Sequence, residues 1–168
     1  MYNFQYANPT RICFGEGQIA RLPELIPAGS RLLVLYGGGS IKQNGVYEQL
    51  TQALAGREWL EFPGIGANPQ YDQLMEAVAL VKRERIDFLL AMGGGSVVDG
   101  TKFVAAAACF EGDDPWEILR DKAPIKGALP LGCVLTLPAT GSESNPAAVV
   151  SRGEAKLSFY NPLVLPRF

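Results

Sequence analysis

Residues 93–102 read Gly93-Gly94-Gly95-Ser96-Val97-Val98-Asp99-Gly100-Thr101-Lys102, a spacing suited to holding a phosphate. An apolar run at 88–92 enters the glycines, and an alanine-rich, helix-favouring segment at 97–109 leaves them. Unpaired backbone N–H groups at a helix start, with the positive end of the helix dipole, attract an anion. Glycines let that anion reach the backbone with no Cβ in the way. A strand-to-helix turn needing only left-handed glycine geometry is the simpler alternative, but three successive glycines exceed what a tight turn requires. Asp99 and Lys102 stand one helical turn apart on one face, although an acid near a helix start also suits ordinary capping. Neither Gly-x-Gly-x-x-Gly nor Gly-x-x-x-x-Gly-Lys-Ser/Thr occurs, so the usual dinucleotide and phosphate-loop fingerprints are absent.

The elements around this turn predict where it sits. An apolar run at 31–36 enters a second copy, Gly37-Gly38-Gly39-Ser40, and a third run at 131–137 enters Pro138-Ala139-Thr140-Gly141-Ser142-Glu143-Ser144. Between them the pattern predicts a helix over 46–55, a short strand over 59–62 and an amphipathic helix over 71–83, with Leu74, Val78 and Val81 on one side. Strands alternating with helices from residue 31 onward imply a mostly parallel sheet with helices on its faces. Ligands bind such sheets beyond the carboxyl ends of the strands, so loops 37–40, 93–96 and 140–144 read as one site. A short helix suits 19–25. Residues 4–14, with Pro9, read as an extended or edge strand pair. The chain is loop-like after 116–119, and 153–168 shows only scattered apolar and proline clusters with no closing helix.

Composition narrows the function. The 168 residues, 48% of them hydrophobic, suit one domain with a buried sheet. A net charge of −2 argues against nucleic acid or an anionic membrane surface as partner. No secretory signal and no bilayer-length apolar stretch is visible, which predicts a cytoplasmic protein. Cys13, Cys109 and Cys133 are odd in number and widely spaced, as reduced core residues are. The chain has no histidine, which excludes a Ser-His-Asp triad, a Cys-His pair and a histidine metal site within it.

Together these stretches resemble the amino-terminal half of the iron-containing (group III) alcohol dehydrogenases, nearest their NADPH-dependent butanol dehydrogenase and aldehyde reductase branch. The resemblance is carried by Pro9-Thr10-Arg11-Ile12 with Phe14-Gly15, Tyr36-Gly37-Gly38-Gly39-Ser40, Asn68-Pro69, the 93–102 segment, Asp114-Pro115-Trp116 and the stretch from Leu135 to Glu143. It implies a Rossmann-like α/β domain over 1–168, with a mostly parallel sheet and flanking helices. An N-terminal extended strand pair at 1–14 would precede it, and 153–168 would lead to an all-helical metal domain outside the chain. On that resemblance Gly37, Gly38, Gly39 and Ser40 surround the adenosine ribose, and Asn68 closes the adenosine end. Gly94, Gly95 and Ser96 hold the pyrophosphate. Asp99 and Ser142 lie near the nicotinamide, Thr136 and Thr140 line the adenine and phosphate side, and Lys156 bonds the nicotinamide-side ribose. It further implies a homodimer, a small alcohol or aldehyde substrate, hydride transfer to or from the nicotinamide, and iron or zinc held by an Asp and three His of the other domain. No catalytic residue and no metal ligand is expected in this chain, which alone is expected to be inactive.

The cofactor expectation is NADP(H) over NAD(H). An NAD-selective site places an acid at the end of the second strand, which repels a 2′-phosphate. The segment 36–42 has no acid and offers Ser40 and Lys42 instead. Two alternatives remain from the sequence: a relative in the glycerol dehydrogenase and dehydroquinate synthase group, and a nucleotide-binding module with no chemistry of its own.

Overall fold

The apolar runs become strands buried on both faces, as a parallel sheet covered by helices requires. A computed structural model describes residues 3, 5 and 7–168 of the chain. Strands β1 (Leu32–Tyr36), β2 (Trp59–Phe62), β3 (Phe88–Gly94) and β4 (Leu131–Leu137) form one parallel sheet in the order β2-β1-β3-β4. The expected α/β sheet is therefore present, and the strand bounds fall within two residues of those expected. The alternation of side chains along β1 and β3 divides the core in two. Leu33, Leu35, Leu89 and Ala91 pack with α3 (Tyr71–Glu84) and α4 (Gly95–Ala108), and Leu32, Val34, Phe88, Leu90 and Met92 pack with α1 (Leu22–Leu25) and α2 (Val46–Ala53). A fifth short helix, α5 (Glu117–Arg120), follows Trp116.

From β1 the chain goes on to β2 on one side, and from β3 to β4 on the other. The carboxyl ends of β1 and β3 thus flank the point where strand order reverses, the usual position of a ligand crevice in such sheets. Both glycine triplets leave from those two strand ends.

Two expectations are corrected. Among the described residues of 3–14 none belongs to a strand; Met1, Tyr2, Phe4 and Tyr6 of the expected pair lie outside the described residues. Residues 10 and 11 instead lie along 166–168: Thr10 Oγ1 donates to the Pro166 carbonyl at 2.7 Å and the Arg11 N–H to that of Arg167 at 3.0 Å. A Pro9-containing stretch lacks one ladder donor and is held here by single bonds. The second correction concerns 147–160, which forms an antiparallel hairpin of β5 (Ala147–Arg152) and β6 (Ala155–Tyr160). Its two-residue turn, Gly153-Glu154, has Gly153 at φ +58°, a conformation that favours glycine.

A polar latch ties this hairpin to the domain and accounts for Asp114-Pro115-Trp116. Asp114 accepts from the Tyr71 hydroxyl, the Trp116 N–H at 3.0 Å and Arg152 Nη1 at 3.0 Å. The Arg152 guanidinium lies 4.4 Å from the Tyr71 ring centre, within cation–π range. Burial alone would raise the Asp114 carboxyl, but these donors outweigh it and hold it down at about 2.

Candidate functional site

The second glycine turn is built for close approach, not for left-handed backbone: none of Gly93, Gly94 and Gly95 has a positive φ. A Cβ at Gly93 would lie 2.7 Å from Val97 Cγ2, and one at Gly95 would lie 3.0 Å from Thr140 Oγ1 and 3.5 Å from Ser142 Oγ. Gly94, extended at φ −85° and ψ −175°, precedes the first residue of α4, so Gly95 and Ser96 lie in the opening turn of a 14-residue helix. Their N–H groups have no helical partner. Loops 93–96 and 140–144 therefore meet, and the Thr140 and Ser142 hydroxyls are 2.7 Å apart beside Gly95. Thr136 falls where the β3–β4 register slips: Gly93 pairs with Leu135 and Gly94 with Leu137. A bulge of this kind is common beside sites.

Asp99 and Lys102 do share a face of α4, and both point at β5. Asp99 Oδ2 accepts from the Val149 N–H at 3.1 Å, while Oδ1 is buried with no hydrogen-bond partner among the described residues. Burial pushes this carboxyl up, against the Ser142 hydroxyl, the Val149 N–H and the Lys102 charge. Lys102 is wholly buried (0% exposed). Its ammonium donates to the Asn145 carbonyl at 2.7 Å, Asn145 Oδ1 at 3.1 Å and the Ala147 carbonyl at 2.8 Å. Burial lowers it to about 8, with Asp99 opposing, so at neutral pH it stays charged with three acceptors for its three donors. Lys102 is thus the pin between α4 and the start of β5, a role that the sequence motif did not reveal.

The first glycine turn differs. Gly39 sits at φ +104° and leads into a single 3-10 turn over Ser40–Lys42. Gly38 and Ser40 are exposed, and no atom would obstruct a Cβ at Gly38 or Gly39. Gly37 closes the crevice, since a Cβ there would lie 3.2 Å from the Ile65 carbonyl oxygen and 3.7 Å from Val97 of α4.

An acid does stand at this turn, contrary to the expectation from 36–42 alone. Glu61, the penultimate residue of β2, accepts at Oε2 from the Tyr36 hydroxyl and at Oε1 from that of Tyr47. Lys42 Nζ lies 3.5 Å from Glu61 Oε2 and sits 4.6 Å and 5.3 Å from the Tyr47 and Tyr36 ring centres. Burial would raise the Glu61 carboxyl, yet the two hydroxyls and Lys42 bring it below its ordinary value. Segment 36–42 is acid-free in sequence, but parallel pairing brings residue 61 beside it.

Asn68 and Lys156 are brought together in the structure. Lys156 Nζ donates to Asn68 Oδ1 at 2.6 Å, across from β6 to the loop before α3. Asn68 holds a left-handed φ of +56°, which asparagine tolerates better than most residues.

A sequence profile described as "Iron-containing alcohol dehydrogenase" matches residues 9–168. The chain belongs to the iron-containing alcohol dehydrogenase family. It is 55% identical over 172 residues to the NADPH-dependent aldehyde reductase YqhD of Escherichia coli, covering 100% of this chain and 44% of that protein. It is also 38% identical over 173 residues to NADH-dependent butanol dehydrogenase A of Clostridium acetobutylicum, again covering 100% and 44%. The crystal structure of Escherichia coli YqhD superposes with a TM-score of 0.94 at 55% identity, over 99% of this chain and 44% of that one. That of a Thermotoga maritima NADH-dependent butanol dehydrogenase A gives 0.91 at 44% identity, over 99% and 43%. The chain thus spans a little under half the length of these relatives.

In this family member the residues fit a dinucleotide phosphate group, since a Cβ-free cradle opens on a helix N-terminus. A metal is another matter, since among the described residues no three His, Cys, Asp or Glu side chains come together to hold one. No helix of the described residues is long and apolar enough to cross a membrane. The features that sequence reading missed are Glu61 with its two tyrosines, the Lys102 pin and the hairpin. Only the hairpin carried a local signal, in the Gly153-Glu154 turn between apolar runs.

Proposed function

We propose that this chain is the NADP(H)-binding half of a metal-dependent alcohol dehydrogenase or aldehyde reductase. The observation that carries the reading is the pair of glycine turns leaving β1 and β3 at the reversal of strand order, with α4 opening beneath the second. Gly94, Gly95 and Ser96 bind the pyrophosphate through backbone N–H groups and the helix dipole. Gly37, Gly38, Gly39 and Ser40 take the adenosine ribose, with Lys42 beside them for a 2′-phosphate. Thr136 and Thr140 line the phosphate side. The Thr140–Ser142 hydroxyl pair and the orphaned Asp99 oxygen orient the nicotinamide side, and the Asn68–Lys156 pair acts as one clasp on a ribose.

The bound cofactor supplies or accepts hydride at an alcohol or aldehyde carbon, and a metal held by residues outside this chain polarises the substrate oxygen. This chain's contribution is binding and orientation, and it has no activity alone. The NADPH-dependent and NADH-dependent relatives leave the cofactor choice to the first turn, where Ser40 and Lys42 support NADP(H) and Glu61 favours NAD(H).

Calorimetric titration of the intact protein with NADPH and with NADH tests the reading. Tighter NADPH binding, weakened by Gly38→Ala, is expected; binding of neither dinucleotide overturns it.

A further inference from the structure

We propose that Glu61 sets cofactor choice in this protein: Tyr36 and Tyr47 hold its carboxylate and Lys42 offsets its charge, so that the first glycine turn admits a 2′-phosphate despite an acid on the second strand. The inference rests on the dinucleotide site proposed above. An acid at the end of the second strand ordinarily accepts from the ribose hydroxyls and repels a 2′-phosphate. Glu61 stands opposite Val34 in the β1–β2 register, two residues before Tyr36 and close to the turn that follows it. Its position is that of a ribose acceptor. Its hydrogen bonding is not.

Both of its oxygens are already engaged by phenol hydroxyls, one from β1 and one from α2. Two of its roughly four lone-pair sites are thus taken, and the two hydroxyls fix the direction of the carboxylate, which limits how it can turn toward a ribose. The Lys42 side chain is 48% exposed and that of Glu61 31%, so the ammonium reaches solvent more freely than its partner does. The ion pair is long at 3.5 Å, and the ammonium rests on the faces of both tyrosine rings. Lys42 is therefore positioned by the aromatic rings and not clamped by the acid, and its N–H groups remain available to an anion arriving at Ser40. The tyrosine hydroxyls hold the carboxylate in place while the rings position the cation. Tyr47 is a positioning residue in this scheme, acting only through Glu61 and Lys42.

The test measures dissociation constants for NADPH and NADH on the intact protein, in wild type, Tyr47→Phe, Glu61→Gln and the double variant. Freeing Glu61 Oε1 in Tyr47→Phe is expected to lower the NADPH-over-NADH preference about five-fold, as partly exposed charges at contact range allow. Glu61→Gln keeps the shape, removes the negative charge and is expected to raise the preference about five-fold by the same reasoning. In the Glu61→Gln background Tyr47→Phe should change the preference less than about two-fold, since a residue acting through another loses its effect when that other is gone. A purely structural tyrosine would weaken both cofactors equally in either background. An unchanged ratio in both single variants overturns the inference, as does an effect of Tyr47→Phe that persists without Glu61, or a wild type that prefers NADH. A wild type that binds neither dinucleotide overturns the underlying site reading instead, and so tells the two failures apart.

Discussion

The two Gly-Gly-Gly-Ser tetrads are identical in letters and opposite in physics. In the first, at 37–40, Gly39 needs a positive φ while Gly38 and Gly39 face open space. In the second, at 93–96, no glycine has a positive φ, and Gly93 and Gly95 exist because Val97, Thr140 and Ser142 stand where a side chain would go. The first is a left-handed turn open to solvent at Gly38 and Ser40, and the second is a packed floor under a long helix. In the proposed site one motif serves two different ends of a ligand: an open rim that can discriminate, and a packed cradle that only binds.

The sharpest test of the cradle is its anchor. Lys102→Met leaves the Asn145 and Ala147 carbonyls without their donor and is expected to cost about 3 kcal/mol, read as a lower urea midpoint. It should also loosen the hairpin and weaken cofactor binding, which no substitution at the first turn would do through stability.

Gly93→Ala comes next, at about 2 kcal/mol, because its Cβ meets Val97 in a packed setting. Adding Val97→Ala should return more than half of the loss in thermal melting. Gly39→Ala is expected to cost about 1 kcal/mol of backbone strain that no neighbouring substitution recovers. Gly38→Ala should change stability by less than about 0.5 kcal/mol while still reducing NADPH affinity. Equal costs at Gly39 and Gly93, or no rescue by Val97→Ala, would dissolve the contrast.

A last effect, confined to acid pH, lies away from both turns and serves as their control. The Asp114 carboxyl, held at about 2 in the folded chain against an ordinary 3.8, stabilises the native state fully above the ordinary value. That contribution fades as pH falls through about 2. Asp114→Asn should flatten the decline of stability between pH 4 and 2 in denaturant titrations and leave cofactor preference at neutral pH unchanged.

What could be read from the sequence follows the same division. Strands 32–36, 88–94 and 131–137 were legible because a sheet covered on both faces demands continuous apolar runs, and helix 71–84 because its apolar spacing is regular. The meeting of loops 93–96 and 140–144 followed from parallel topology alone. Glu61 was not legible: it lies 25 residues from Tyr36, and only strand pairing makes them neighbours. The anchoring role of Lys102 was not legible, because sequence cannot show that three carbonyl-type oxygens surround it. The Asn68–Lys156 contact spans 88 residues and depends on a hairpin whose short, mixed strands resemble loop.

The contact of Thr10 with Pro166 joins residues 156 apart. Closing a chain segment of that size costs roughly 4 kcal/mol of entropy from its length alone, whereas a hydrogen bond returns only about 1 kcal/mol net. Two such bonds cannot nucleate this junction, so it forms only after β4 already offers a surface to lie on. Amide hydrogen exchange at Arg11 should accordingly be fast relative to β3, marking a seam that closes last during folding and opens first afterwards.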